Sequence, residues 1–162
     1  MAELYRAAGG SDIIEKARRQ EGSGSNGSRV SRSAAYLAQN MEKVPALVLL
    51  AIIGRHDGSG RPGLFDSAIQ AGWSFCLALR SRGLGSAWTT MHLGKADEIA
   101  DLLGIPDEVT QIVLLPVAWT KGNEFQAASR KPVTEITWMD NWGYTKEFTR
   151  EGLSLLEQMP GV

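Results

Sequence analysis

Two continuous apolar runs stand out in the pattern of hydrophobic and polar positions along this chain. Residues 46–53 read ALVLLAII and residues 111–119 read QIVLLPVAW. Runs of this length without alternating polar positions are typical of strands in a sheet that is buried on both faces. They therefore predict such a sheet. Pro116, within the second run, predicts an edge strand or a bulge, because proline has no backbone N–H to donate to a neighbouring strand.

Residues 66–82 predict a helix that is apolar around nearly its whole circumference. The segment confines its polar side chains to one narrow stripe: Ser67, Gln70, Ser74 and Ser81. A helix that is apolar on nearly all sides must be buried on nearly all sides. A domain of this size seldom encloses such a helix alone, so we predict that a second subunit covers part of it. A glutamate introduced at Phe75 or Leu79 is then expected to dissociate or unfold the protein, because it would bury an unpaired charge.

The remaining segments predict shorter elements. Residues 85–90 are expected to be extended, and helices are expected over residues 13–20, 34–43, 95–103 and 144–159. Residues 21–33 contain three glycines, five serines and almost no apolar side chain. A segment of this composition buries too little apolar surface to offset the conformational entropy lost on ordering, so a flexible linker is expected there. We therefore divide the chain into a flexible or diverged N-terminal segment, residues 1–32, and a globular domain, residues 33–162.

Composition and charge exclude several classes of function. The 162 residues include 17 Lys and Arg against 18 Asp and Glu, so no basic surplus is available to neutralise nucleic-acid phosphates. No apolar stretch reaches the ~20 residues of a membrane helix, and the N-terminal residues lack the apolar centre of a signal peptide. The single cysteine, Cys76, lies in an apolar run that favours a buried, unreactive thiol. We therefore expect a cytoplasmic protein without nucleic-acid or membrane partners.

Residues 58–63, GSGRPG, match the GxGxxG pattern of dinucleotide-binding loops but are interpreted as a solvated loop. Pro62 removes a backbone donor that a pyrophosphate needs, and no acidic residue follows about 20 positions later to bind a ribose.

His56 and His92 lack cysteine or carboxylate neighbours at zinc-ligand spacing, so no metal site is predicted. No nucleophile elbow or acid–base set is found either. We therefore predict no catalytic side chain, a pattern that suits an enzyme whose cofactor performs the chemistry.

Four segments, taken in order, resemble the nitroreductase family. They are DSAIQ with LAL at 66–79, RGLGSAWTT at 82–90, LLGIP with IVLLPVA at 102–118, and RKPVTEI at 130–136. The likeness extends over about residues 33–142. It implies an α+β fold, with a central mixed or antiparallel sheet flanked by helices in three layers. It also implies a homodimer with two FMN sites at the interface, where the central helices pack together.

The resemblance further implies six cofactor-binding residues: Ser86, Trp88, Thr89, Thr90, Arg130 and Lys131. By similarity, Trp88 and the two threonines lie along the isoalloxazine ring of FMN. Arg130, with Lys131 beside it, contacts the phosphate, a charge-assisted bond that suits a guanidinium group. The alternative is a tryptophan that merely packs and an Arg–Lys pair that is solvated surface. On the residues alone that alternative would be favoured.

The function that the resemblance implies is an FMN-dependent oxidoreductase. Such an enzyme transfers hydride from NAD(P)H through the flavin to a nitro-aromatic, a quinone or a similar small-molecule acceptor. Two motifs that usually open the family's sequence, R-S-x-R and P-S-x-x-N-x-Q-P-W, do not occur in these residues. We therefore expect a fragment or a diverged member that binds FMN weakly or not at all. A catalytically silent, dimeric binding protein of the same fold is the alternative.

Overall fold

The computed structural model describes residues 1–22, 29–54, 63–122, 130–138 and 141–143. The chain forms two compact units, residues 1–123 and 124–162. The first unit contains the described sheet and α-helices. In the second unit, a short 3-10 turn spans Val133–Glu135 and the rings of Trp138 and Trp142 lie 3.9 Å apart, centre to centre. The helix expected over residues 144–159 and most of the GSGRPG loop lie outside the described residues.

An antiparallel sheet forms the centre of the first unit. Within the described residues its strands are β1 (Ala46–Ile53), β2 (Leu84–Ser86) and β3 (Val109–Trp119), in the order β1-β3-β2. Both apolar runs of the sequence are therefore strands, as predicted. Only β3 is buried along most of its length, because β1 is half-buried or exposed at every position. Beyond β2 the chain returns to β3 once more, at an isolated bridge between Thr89 and Leu114.

Pro116 does not mark an edge strand, because β3 is the middle one of the three described strands. The N–H and C=O of Leu114 bond to Thr89 on the β2 side of the sheet. Alternate residues of a strand direct these groups to the same side, so Pro116 turns its donor-free nitrogen toward the β2 side as well. There β2 has already ended at Ser86, and no ladder bond is lost. An interrupted neighbour strand explains how a proline is accommodated in the middle of the sheet.

Helices cover both faces of the sheet, which gives the three layers of an α+β fold. The α-helices that the structure describes in the first unit are α1 (Ala2–Tyr5), α2 (Ser11–Gly22), α3 (Arg29–Asn40), α4 (Gly63–Arg80) and α5 (Ala96–Leu103). Helices α1 and α3 pack on one face, where Tyr5, Ala38 and Met41 bury Leu114 of β3. Helix α4 packs on the other face, where Ala68 contacts β3.

A bulge in β3 enlarges the core under α4. Leu50 of β1 is paired with Val113, and Ala51 is paired with Gln111, so Ile112 has no partner in the β1 ladder. The extra residue places Ile112 in the same buried cluster as Val113, where strict alternation would put them on opposite faces. The bulge expected near Pro116 thus lies four positions earlier along the strand.

The N-terminal residues join the core of the first unit. Tyr5 is only 2% exposed and packs with Met41 and Leu114. Next to it, Arg6 donates to the carbonyl oxygen of Ala38 at 3.3 Å and pairs with the carboxylate of Glu42 at 2.8 Å. This ion pair lowers the pKa of Glu42, chiefly through the hydrogen bond from Arg6. The sequence pattern gave no core residue before position 33, because one aromatic side chain in a short charged segment has no recognisable period.

Helix α4 exposes one apolar stripe and buries another. Ile69, Trp73 and Leu77, four residues apart and therefore on one face, are 48%, 64% and 53% exposed. Leu79 is buried and Phe75 packs partly buried against the sheet. A glutamate at either of the last two positions is therefore expected to unfold the chain. We call the exposed row Ile69–Trp73–Leu77 the α4 stripe.

Candidate functional site

A cavity of about 810 Å³ opens in the first unit between α3 and the β2 side of the sheet. Its walls come from α3, from residues 85–89 and from the end of β3. The volume lies within the ~300–1,000 Å³ that is typical of small-molecule sites. Four aromatic side chains contribute to the lining: Tyr5, Tyr36, Trp88 and Trp119. Three of them, all except Tyr5, are also exposed, and exposed aromatic surface around a cavity is typical of a binding site.

A glycine of α4 determines the position of Trp88. A Cβ atom on Gly72 would lie 2.7 Å from Cζ3 of Trp88 and 3.0 Å from Cδ2 of Leu50. The indole ring therefore packs directly on the helix backbone. Glycine inside a helix costs about 1 kcal/mol relative to alanine. The close approach of Trp88 gives a structural reason for glycine at this position, which the sequence pattern alone did not explain.

Thr89 is held by both its backbone and its side chain. Its N–H donates to the carbonyl of Leu114 at 3.2 Å, and its own carbonyl accepts from the N–H of Leu114 at 2.9 Å. The Thr89 hydroxyl is hydrogen-bonded to the Tyr5 hydroxyl, with the two oxygens 2.8 Å apart. Both residues line the cavity. Sequence reasoning singled out Thr89 but missed Tyr5, which lies 84 positions away along the chain.

Three of the six predicted site residues meet in this cavity. Ser86, Trp88 and Thr89 contribute to its lining. Thr90 is exposed immediately beyond it, where its carbonyl accepts the N–H of Leu93 at 3.0 Å.

The two predicted basic residues belong to the other unit of the chain. Arg130 and Lys131 lie in the second unit and are exposed there. Their contact with a phosphate stays a prediction.

The described lining of the cavity carries no charged side chain. Its described residues include no Asp, Glu, Lys, Arg or His. Its polar groups are hydroxyls, one amide and two indole N–H groups, from residues such as Ser86, Asn40 and Thr120. Such walls suit a neutral, largely planar ligand or ligand portion. They offer no cation to an anionic group.

His92 is a buried group beside the cavity wall. It follows Met91, a lining residue, and is fully buried. Neither of its ring nitrogens has a hydrogen-bond partner among the described residues. Burial lowers the pKa of the imidazole below its ordinary value of 6.5. The neutral ring is therefore the form that the fold favours.

The described residues contain neither a metal-binding cluster nor a membrane-spanning helix. No group of three His, Cys, Asp or Glu side chains there could hold a metal ion. No helix in the same residues is long and apolar enough to cross a membrane.

Comparisons with known proteins agree with this architecture. The model of the nitroreductase family matches residues 4–119, which include α2, α3 and the whole described sheet. A solved structure described as a BluB-like flavoprotein from Clostridium difficile 630 is similar, with a TM-score of 0.51 and 21% identity. The similarity covers 87% of this chain and 76% of that one, and at this identity it concerns the fold. No curated protein matches the chain.

Proposed function

This chain belongs to the nitroreductase family, and from that membership we propose that it is a flavin-dependent oxidoreductase. In this proposal the flavin is FMN, the hydride donor is NADH or NADPH, and the acceptor is a nitro-aromatic, a quinone or a similar small molecule. When bound, the flavin supplies the redox chemistry that amino-acid side chains lack. The observation that carries the proposal is the aromatic, uncharged cavity whose wall contains Ser86, Trp88 and Thr89.

The described cavity suits the ring system of a flavin. Trp88 and Trp119 offer apolar faces that can cover a planar ring and exclude water from it. Hydroxyl groups of Thr89 and Tyr5 lie in the same wall and can bond to a polar ring edge. Gly72 and Leu50 support Trp88 from behind, so this aromatic wall is formed before any ligand enters.

The phosphate of FMN needs cations that the described lining does not supply. Arg130 and Lys131 are the residues that we propose for this role, on the basis of their likeness to the family's closing motif. A guanidinium group can make two parallel hydrogen bonds to a phosphate, and an ammonium group adds a point charge. Riboflavin has the same ring without the phosphate. The difference between the binding affinities of FMN and riboflavin therefore measures the phosphate contacts alone.

We also propose that the protein is a homodimer that associates through the α4 stripe. Ile69, Trp73 and Leu77 form an exposed apolar row on one face of α4. Covering such a row is favourable, because full burial of each large apolar side chain contributes roughly 1.5–3 kcal/mol of free energy. A second copy presents the same row, so an isologous contact between two α4 helices would cover both.

A steady-state assay tests the redox proposal. The purified chain is mixed with excess FMN, NADH or NADPH, and a benzoquinone or a nitrobenzene derivative, and the loss of nicotinamide absorbance is followed. We expect a protein-dependent rate above that of free FMN, and we expect Trp88→Ala to lose most of it. A rate equal to that of free FMN at every FMN concentration would instead favour the catalytically silent binding protein.

A further inference from the structure

Tyr5, at the end of α1, and Thr89, after β2, meet in the wall of the cavity. We propose that their two hydroxyl groups act as one hydrogen-bond donor that holds a carbonyl oxygen of the bound flavin ring. This inference rests on the proposed function and extends it, because it makes the N-terminal helix part of the binding site. In this account the outer hydroxyl binds the ring directly, and the other hydroxyl positions it.

The pair has two hydroxyl hydrogens, and the hydrogen bond between the two groups uses only one of them. The oxygens of Tyr5 and Thr89 are 2.8 Å apart, and either group can be the donor. One hydroxyl hydrogen lies between the two oxygens, so the hydrogen of the accepting hydroxyl stays available to a third group. Hydrogen bonds in such a chain polarise one another, so the outer hydroxyl is a stronger donor than an isolated one.

Other polar groups of the lining are already engaged within the protein. The Thr120 hydroxyl donates to the carbonyl of Gly83 at 3.1 Å. The Asn40 amide donates to the carbonyl of Tyr36 at 2.9 Å and accepts from the ammonium of Lys43 at 2.9 Å. The Thr120 hydroxyl therefore has no hydrogen left for a ligand, whereas the Tyr5–Thr89 pair and the Asn40 amide each keep one.

The pair is also fixed in place before a ligand arrives. The Tyr5 ring is 2% exposed and packs against Met41 and Leu114. Thr89 is anchored by its two backbone bonds to the same Leu114. Since both partners are held against one residue of β3, the donor loses little freedom on binding, and binding is favoured.

The chemistry of the wall indicates what the donor binds. The described lining is uncharged and largely apolar, so a neutral acceptor on a planar ring matches it better than an ionised group. The flavin ring has two carbonyl oxygens on its polar edge. A donor at such an oxygen favours the reduced ring, which holds more negative charge there. The pair therefore contributes to binding and raises the reduction potential of the bound flavin.

Removing either hydroxyl without changing the packing tests this inference. Tyr5→Phe keeps the buried ring, and Thr89→Val keeps the branched side chain and its backbone bridge. Riboflavin is the probe, because it reports ring contacts alone. Each single variant leaves one hydroxyl with its own hydrogen, so it is expected to raise the riboflavin Kd about twofold, because the remaining donor is no longer polarised by its partner. The double variant removes the bond to the ligand and should raise the Kd about five- to tenfold, as the loss of one hydrogen bond does. Thr89→Ser keeps the hydroxyl and should bind riboflavin as tightly as wild type.

A spectroscopic readout and a matched control complete the test. The visible absorbance of bound riboflavin should shift toward that of free riboflavin in both variants, and its reduction potential should fall. Thr110→Val removes a hydroxyl from β3 that donates to the carbonyl of Gly54 and does not line the cavity. This control is expected to leave the riboflavin Kd unchanged.

Three outcomes would overturn the inference. Wild type that binds riboflavin with the same Kd and spectrum as Tyr5→Phe and Thr89→Val would refute it and leave the proposed function intact. An equal loss of affinity in Thr110→Val would show that the effect acts through global stability. A wild type that binds neither riboflavin nor FMN saturably would remove the proposed function, and the inference with it.

Discussion

At the scale of single residues, the contact between Gly72 and Trp88 can be changed by one methyl group. Gly72→Ala would gain about 1 kcal/mol of helix propensity in an open site. Here the new Cβ would lie 2.7 Å from the indole ring, so Trp88 must move outward. We expect red-shifted tryptophan emission, weaker flavin binding and no gain in the free energy of unfolding. In a Trp88→Phe background the emission change should vanish, and its persistence would contradict this account.

His92 should make stability depend on pH in a predictable direction. Burial lowers its folded-state pKa below 6.5, so the unfolded chain binds more protons at acid pH. The free energy of unfolding is therefore unaffected by protonation of His92 above pH 6.5. It decreases as the pH falls below that value, because the unfolded chain then gains a proton that the folded chain does not. Urea unfolding at about pH 8 and about pH 5 should therefore show a smaller decrease in unfolding free energy for His92→Leu than for wild type. Equal decreases would show that His92 does not titrate differently on folding.

Arg130 offers a test of phosphate recognition. If it contacts the FMN phosphate, Arg130→Ala should weaken FMN binding by ~1.5–3 kcal/mol, the usual contribution of a hydrogen bond to a charged group. Riboflavin binding should not change, because that ligand has no phosphate. Isothermal titration with both ligands checks the prediction. Equal losses for both would indicate that Arg130 acts through folding.

Single residues were predictable from the sequence only where a local motif contained them. Ser86, Trp88 and Thr89 share one short turn, so a motif located them, and the structure brings them to one cavity. Tyr5 reaches that cavity by a tertiary contact across 84 positions. No periodicity or composition in a four-residue helix could have identified it.

At the scale of the elements, the α4 stripe carries the proposal of a dimer. Trp73→Glu should convert the protein to a monomer, because it would place a charge in the centre of an apolar contact. Sedimentation velocity measures this directly. Leu102→Glu is the matched control, since Leu102 is a similarly exposed apolar residue on α5. A monomeric wild type, or a dimer that survives Trp73→Glu, would contradict the proposal.

The strands and α4 followed from hydrophobic patterning, but α3 begins at Arg29, inside the segment expected to be a flexible linker. Strand β1 has the predicted bounds, and α4 begins three residues before the predicted helix. Long apolar runs specify buried strands because few other structures can bury them on both faces. The position of Pro116 in the middle strand was not predictable, since it depends on where β2 ends. Nor was the bulge at Ile112, which arises from the pairing of two distant strands.

For the molecule as a whole, the expected affinity for FMN follows from a count of charges. The described cavity offers aromatic walls and hydroxyls but no cation. If two charge-assisted phosphate contacts are lacking, at ~1.5–3 kcal/mol each, the dissociation constant rises by about two to four decades. A tight flavin site would then become micromolar or weaker. Ring contacts through Trp88, Thr89 and Tyr5 should persist, so the binding should be weak and still specific.

The most direct test of the central claim is a titration of the purified protein with FMN, followed by flavin absorbance and fluorescence. The account predicts saturable binding of one FMN per chain, a perturbed visible band and a Kd in the micromolar range or above. Trp88→Ala, measured in parallel, should abolish the perturbation. An unperturbed flavin spectrum up to about 1 mM FMN would correspond to less than about 4 kcal/mol of binding free energy and would contradict the claim.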